Sequence, residues 1–241
     1  MGSPGYIDGH HGEWITPPDE FAKRARLYLD AGYQVHVHAN GDAGIGMVLD
    51  TLEKLQAERP RVDHRFTLEH YGYSTAAQAR RCAALGALVS ANPYYLWSLG
   101  ETYARTGLGA DRARQISRLG TVARQGIPVA LHSDFAIAPM QPLLLAWIAA
   151  NRVTEGGGVM GPEERLTLDQ ALRGITTNAA YALGMEQGVG SIEPGKKADF
   201  TVLADDPYEL DVMKLKDIPV AGTVVEGVAH PTTGETIGRQ Q

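Results

Sequence analysis

Three short stretches carry side chains able to hold a divalent metal. They are "HVHANGD" with His36 and His38, "TLEHYG" with Glu69 and His70, and "LHSDF" with His132 and Asp134. Imidazole nitrogen and carboxylate oxygen are the usual ligands of zinc and related metals. Each stretch closes a short apolar run that reads as a β-strand, and residues two apart on a strand face the same way. His36 therefore shares a side with His38, and His132 with Asp134. Glu69 alternates away from His70 and is expected to face the covering helices, paired with a polar group. A lone histidine at a strand end is ordinarily a hydrogen-bonded structural residue. Three strand ends bearing His, His and Asp point to a metal site if the strands run parallel, because the C-terminal ends of parallel strands meet on one face where ligands bind.

The elements needed to gather those tips are visible in the pattern. Strands are predicted over residues 33–38, 65–70, 87–91 and 127–132, and helices over 19–30, 43–58, 76–85, 112–125 and 143–151. Four strand-then-helix units in succession call for parallel strands joined by crossover helices. The strands are short and largely apolar, as expected when both faces are covered. Asp42 stands where a helix N-cap belongs. "NPYYLW" reads as irregular; its Tyr94 and Tyr95 suit either packing or a pocket wall. Residues 166–184 are predicted to form one helix, with Thr167 as N-cap and Gly184 as its stop. From Gly188 onward, β-branched and small residues alternate between Gly, Pro and Asp turns, the texture of a small β appendage.

The bulk properties narrow the function further. The chain has 241 residues, 44% of them apolar and 21% charged, an ordinary composition for a soluble α/β protein. A net charge of −6 without any basic run argues against a nucleic-acid partner. Cys82 is the single cysteine, which excludes an internal disulfide and a cysteine-based zinc cluster, and it is expected to pack in a helix. The longest apolar stretch, residues 142–150, is far short of the roughly 20 residues that cross a membrane. The first residues show no basic-then-apolar signal pattern, so a cytoplasmic protein is the default. His10 and His11 lie in a Gly-rich loop and carry no spacing signal, while His64 and His230 read as surface residues.

Taken together, "HVHANGD", "LEH", "HSDF" and "TTNAAYALGMEQGVGSIEPGKKADFTVL" resemble the second half of the amidohydrolase superfamily. The branch they resemble is amidohydrolase family 3, which includes N-substituted formamide deformylases. The likeness runs from about Gly5 to Gly227. It implies an α/β fold: a distorted TIM-type (β/α)8 barrel with a metal centre at its C-terminal face, plus a β-sandwich built from both chain ends. Residues 1–185 would supply about strands 5 to 8 of the barrel with their helices, and residues 186–241 the C-terminal part of the composite sandwich. The resemblance further implies that His38, His70 and Asp134 bind the metal. Zinc is the first expectation, with iron and manganese as alternatives. Asp134 would also take the proton from the attacking water. His36, His132, Tyr94 and Tyr95 become candidates to back the ligands or touch substrate. The implied activity is metal-dependent hydrolysis of carbon–nitrogen bonds other than peptide bonds, of amide or formamide type, on a small-molecule substrate.

The family also opens its barrel with a His-x-His on the first strand. "VHVH" does not match that position, because the first-strand pair lies much farther upstream of the sixth-strand histidine than His38 lies from His70. The "NGDAG" after His38 fits the fifth-strand context, so His36 is expected inside the barrel rather than on the metal. No upstream His-x-His is present, and no fourth-strand bridging residue can be identified. A half barrel leaves open sheet edges and an uncovered apolar face. A missing N-terminal half or self-association would have to cover them, and without the first-strand ligands the chain is expected to have little activity alone. The alternative is a non-catalytic truncated remnant that serves as a metal-binding or assembly module.

Overall fold

Apolar residues recur at helical spacing in "DAGIGMVLDTLEKLQAE". In the computed structural model, which describes residues 1–232, this segment is helix α2 (Asp42–Glu58). Its Ile45, Val48, Leu49, Leu52 and Leu55 are buried, each large side chain adding roughly 1.5–3 kcal/mol of hydrophobic stabilisation. Helix α1 (Pro18–Asp30) precedes strand β1 (His36–Ala39), and α2 then leads to strand β2 (Thr67–His70). Helix α3 (Ala76–Leu85) follows and leads to strand β3 (Leu88–Ala91). Thr75 and Gln78 form a reciprocal capping box at its start, and Gly86 ends it at φ 71°.

The strands pair in chain order, all parallel. His38 stands opposite Glu69, His70 opposite Ala91, and Ala91 opposite Leu131 of strand β4 (Val129–Leu131). This register brings the tips of β1, β2 and β4 to one end of the sheet. Every residue of β3 and β4 is buried, whereas β1, at the sheet edge, is partly exposed. A cavity of about 520 Å³ runs along that edge, bounded by the N-terminal loop, α1 and α2, with Trp14, Phe21, Tyr28 and Val37 in its wall.

Between β3 and β4 the chain departs from expectation. Tyr94 and Tyr95 open helix α4 (Tyr94–Thr102) rather than an irregular stretch. Residues Tyr103–Gly107 continue it as a π-turn, closed by a bond from the Leu108 amide to the Tyr103 carbonyl. The helix predicted over 112–125 is two pieces, α5 (Ala110–Ala113) and α6 (Leu119–Arg124). Ser117 separates them at φ 48°, a left-handed conformation no helix interior accepts, and its amide donates to the Gly72 carbonyl instead.

Helix α7 (Pro142–Asn151) is buried from Leu145 to Asn151. The single helix expected over 166–184 is α8 (Leu168–Gly174) and α9 (Thr177–Ala182). Thr176 breaks it at φ −131°, ψ −97°, with its hydroxyl returned to the Leu172 carbonyl. Thr167 does cap α8, in a box with Gln170. The appendage is an antiparallel sheet of β5 (Phe200–Leu203), β6 (Val220–Val225) and β7 (Val228–Pro231). The 3₁₀ turn Val212–Asp217 fastens it to α7: Trp147 Nε1 donates to the Met213 carbonyl at 2.8 Å, and Asn151 Nδ2 to that of Val212 at 3.2 Å. Residues 233–241 of the expected appendage lie outside the described residues. Among the described residues no helix is long and apolar enough to cross a membrane.

Three smaller expectations change. Asp42 is not the N-cap of α2; Gly41 is, and Asp42 Oδ1 accepts from the Gly2 and Ala43 amides. His64 is buried, not on the surface: its Nδ1 accepts from the Phe66 amide and its Nε2 donates to the Leu85 carbonyl. Cys82 packs in the core as expected, and His230 is exposed.

Candidate functional site

Three imidazoles meet at the sheet's C-terminal end. The rings of His38 and His70 lie edge to face with centroids 4.3 Å apart, and His132 meets His70 edge to face at 4.9 Å. Regular alternation would send His70 and Glu69 to opposite sides of the sheet. His70 instead adopts φ 71° and Tyr71 φ 49°. This left-handed step turns the His70 side chain back toward the strand-end face. The parallel register sets Glu69 opposite His38, on the same side of the sheet, so Glu69 does not face the helices. Its carboxylate meets His36 Nδ1 at 2.5 Å and stands 3.5 Å from His132 Nε2. Asp134 also sits at positive φ, 54°. Left-handed backbone at a non-glycine residue costs on the order of 1–3 kcal/mol and gathers at functional sites.

The hydrogen bonds sort the histidines by availability. Gln34 Nε2 donates to His36 Nε2 at 2.8 Å and also to the Ala182 carbonyl. With Glu69 at Nδ1, both His36 nitrogens are engaged inside the protein. His38 Nε2 faces the Asn40 amide at 3.2 Å, and His70 Nδ1 faces the Tyr95 hydroxyl at 3.3 Å with the two rings stacked. His132 Nε2 is buried with no hydrogen-bond partner.

Burial and neighbouring charges shift the groups of the cluster. Burial pushes His70 down to about 4, aided by repulsion from His132 and His38, so the ring is neutral at physiological pH. Burial lowers His132 as well. For Glu69 burial works upward, but hydrogen bonds from His36 and Ser90 and the nearby His132 outweigh it and hold the carboxyl below its usual range. The Asp134 carboxylate, exposed at the rim, acts on both His70 and His132.

Of the sequence candidates, His36, His38, His70, His132, Asp134 and Tyr95 are thus drawn to one place. Tyr94 turns away and packs on Trp97, with ring centroids 5.0 Å apart. A neutral His70 imidazole with the His38 ring beside it suits a divalent metal chemically. Among the described residues, however, no group of three His, Cys, Asp or Glu side chains already stands in a ligand arrangement. Sequence reasoning offered Tyr95 as a pocket wall but missed Asn40, which reads as part of a turn, and the partners of Tyr95 in a pocket of about 230 Å³, Tyr6, Tyr73 and Tyr103. Tyr95 and Tyr103 share the continuous helical path of α4, whereas Tyr6 and Tyr73 come from two loops that no local pattern links to it.

Comparison with known proteins gives the same outline. The chain is 32% identical over 197 residues to the N-substituted formamide deformylase of Arthrobacter pascens, a match covering 82% of this chain and 36% of that protein. It is similar to an uncharacterized metal-dependent hydrolase from Pyrococcus furiosus, with TM-score 0.69 and 25% identity over 81% of this chain and 39% of the other. Another from Pyrococcus horikoshii shares the fold, with TM-score 0.74 and 22% identity over 87% of this chain and 42% of the other. The chain thus spans about two fifths of the length of these relatives. A family model described as the amidohydrolase family matches residues 4–229, and the chain belongs to that family.

Proposed function

We propose that this chain is the C-terminal half of a metal-dependent hydrolase that cleaves carbon–nitrogen bonds outside peptides, of amide or formamide type, in a small-molecule substrate. The observation that carries the reading is the meeting of the His38, His70 and His132 rings at the strand tips. The family and the formamide deformylase relative support the same chemistry. The residues 1–185 then form about half of a (β/α)8 barrel, and 186–241 the C-terminal part of a composite sandwich. The open edge of β1 and the cavity along it suit a further strand from a separate N-terminal half or from a second copy. A cytoplasmic location goes with this reading.

In the proposed site His38, His70 and Asp134 hold a divalent ion, zinc before iron or manganese. Such an ion supplies Lewis acidity toward a carbonyl and a water. Asn40 and Tyr95 orient His38 and His70 through their ring nitrogens. Asp134 receives the proton released when water adds to the carbonyl. Glu69 braces His36 and His132 behind the ligands. The lack of a finished three-ligand arrangement favours a second reading, a non-catalytic metal-binding or assembly module.

Zinc titration of the purified chain tests the first reading. Near-stoichiometric binding at neutral pH is expected, lost in His38→Ala and His70→Ala, with little turnover until an upstream half is supplied. Failure of the wild type to bind zinc, iron or manganese would overturn it. Metal binding with no turnover after the upstream half is restored would favour the module.

A further inference from the structure

We infer that the tyrosine-walled pocket beside His70 receives a single aromatic ring carried by the substrate, an assignment that rests on the hydrolase reading of the site. The pocket shares two residues with the imidazole cluster. Tyr95 lines it and points its hydroxyl at His70; Asn40 lines it and meets His38. A group bound there is therefore continuous with the place where the scissile bond would sit. At about 230 Å³ it has room for one ring with a short substituent, since a dry apolar cavity of ~150 Å³ already accepts benzene.

The wall chemistry chooses the occupant. Tyr6, Tyr73, Tyr95 and Tyr103 offer aromatic faces and edges, and Leu99 and Leu108 complete an apolar lining. Rings prefer offset or edge-to-face neighbours, an arrangement worth ~0.5–1.5 kcal/mol beyond burial alone. Burial raises the phenols of Tyr6, Tyr73 and Tyr95, which keeps the lining neutral.

Local backbone features hold the pocket open. A Cβ at Gly72 would lie 2.9 Å from the Asn40 carbonyl oxygen, so the chain there must be bare to let β1 and β2 loops close on each other. A Cβ at Gly107 would lie 2.5 Å from the Tyr103 ring. The π-turn from Tyr103 to Gly107 inserts an extra residue into the helical path, a device frequent at functional sites.

Binding of formanilide and of N-methylformamide to the metal-free 241-residue chain, followed by saturation-transfer NMR and calorimetry, tests the assignment. Formanilide is expected to bind about tenfold more tightly, the order that burying one ring supplies. Leu99→Trp, which fills the pocket from a half-open helical position, and Tyr103→Ala should each reduce that preference at least severalfold, with N-methylformamide unaffected. If Tyr103→Ala fails to fold, Leu99→Trp decides. Equal affinity for the two amides, or a preference that Leu99→Trp leaves intact, overturns the assignment. Because the readout needs no metal, a chain that binds zinc but shows no ring preference refutes the pocket alone. A ring preference without metal binding refutes the hydrolase reading instead.

Discussion

Tyr95 presents its hydroxyl to Nδ1 of His70 at 3.3 Å and lays its ring along the imidazole, with centroids 5.9 Å apart. A partner on one nitrogen fixes the tautomer and the direction of the other. Tyr95→Phe keeps the stacked ring and removes only the hydroxyl. It should weaken zinc binding by about tenfold, the lower end of what loss of such support costs, while leaving the melting temperature nearly unchanged. Competition against a chromogenic chelator would measure it, and unchanged affinity would show that the hydroxyl does not orient His70.

Glu69 is the acceptor at the centre of the strand-end network. Glu69→Gln retains the shape and removes the charge that His36 Nδ1 meets at 2.5 Å. A loss of roughly 1.5–3 kcal/mol in urea unfolding is expected, the usual worth of a hydrogen bond to a charged group. A change below about 0.5 kcal/mol would mean that the pair is held by its surroundings.

Arg152 is buried and donates to the carbonyls of Arg114, Ile116, Ser117 and Met160 at 2.7–3.0 Å. It closes the loop that the left-handed Ser117 opens. Arg152→Met would strand these acceptors and cost about 3–5 kcal/mol. Arg152→Lys should rescue little, because one ammonium cannot reproduce the planar fork. Chemical denaturation of both variants would check this, and full rescue by lysine would refute the geometric argument.

The Cys82 thiol gives a pH dependence with a definite sign. Burial pushes it up to about 11, and Tyr71, whose hydroxyl lies 3.9 Å away, is raised by burial too. The unfolded thiol ionises first as pH rises, so the unfolded state gains stability the folded state lacks. This contribution is complete below about pH 9 and disappears as pH climbs through about 11. It amounts to roughly 2–3 kcal/mol at most. Cys82→Ala should flatten part of the alkaline decline in unfolding free energy. An identical alkaline slope in the variant would refute it, as would fast reaction of the native thiol with an aromatic disulfide at pH 8.

The parallel sheet was readable because its strands end in punctuation: "HVHANGD", "LEHYG" and "LHSD" each pair an apolar run with a polar turn. The sides of Glu69 and His70 were not readable: Glu69 follows a register opposite His38 that no single stretch shows, and His70 leaves the alternation. Alternation holds only while the backbone stays extended, and the positive φ at His70 and Tyr71 depends on the packing around them. The division of residues 112–125 at Ser117 was hidden for the same reason, since its left-handed turn depends on a bond to Gly72, far away in sequence. His64 looked like a surface residue because its partners, the Leu85 carbonyl and the Phe66 amide, come together only once α3 is in place.

The widened turn at Tyr103–Gly107 has a consequence for how such a pocket can change over evolutionary time. Removing one residue there would restore ordinary helical winding and swing Leu108, another residue of the pocket wall, by about 100° around the helix axis, while α4, the sheet and its imidazoles kept their places. A one-codon deletion could thus exchange one substrate side group for another without touching the reacting end, a route to new selectivity that point substitutions would reach only by several steps.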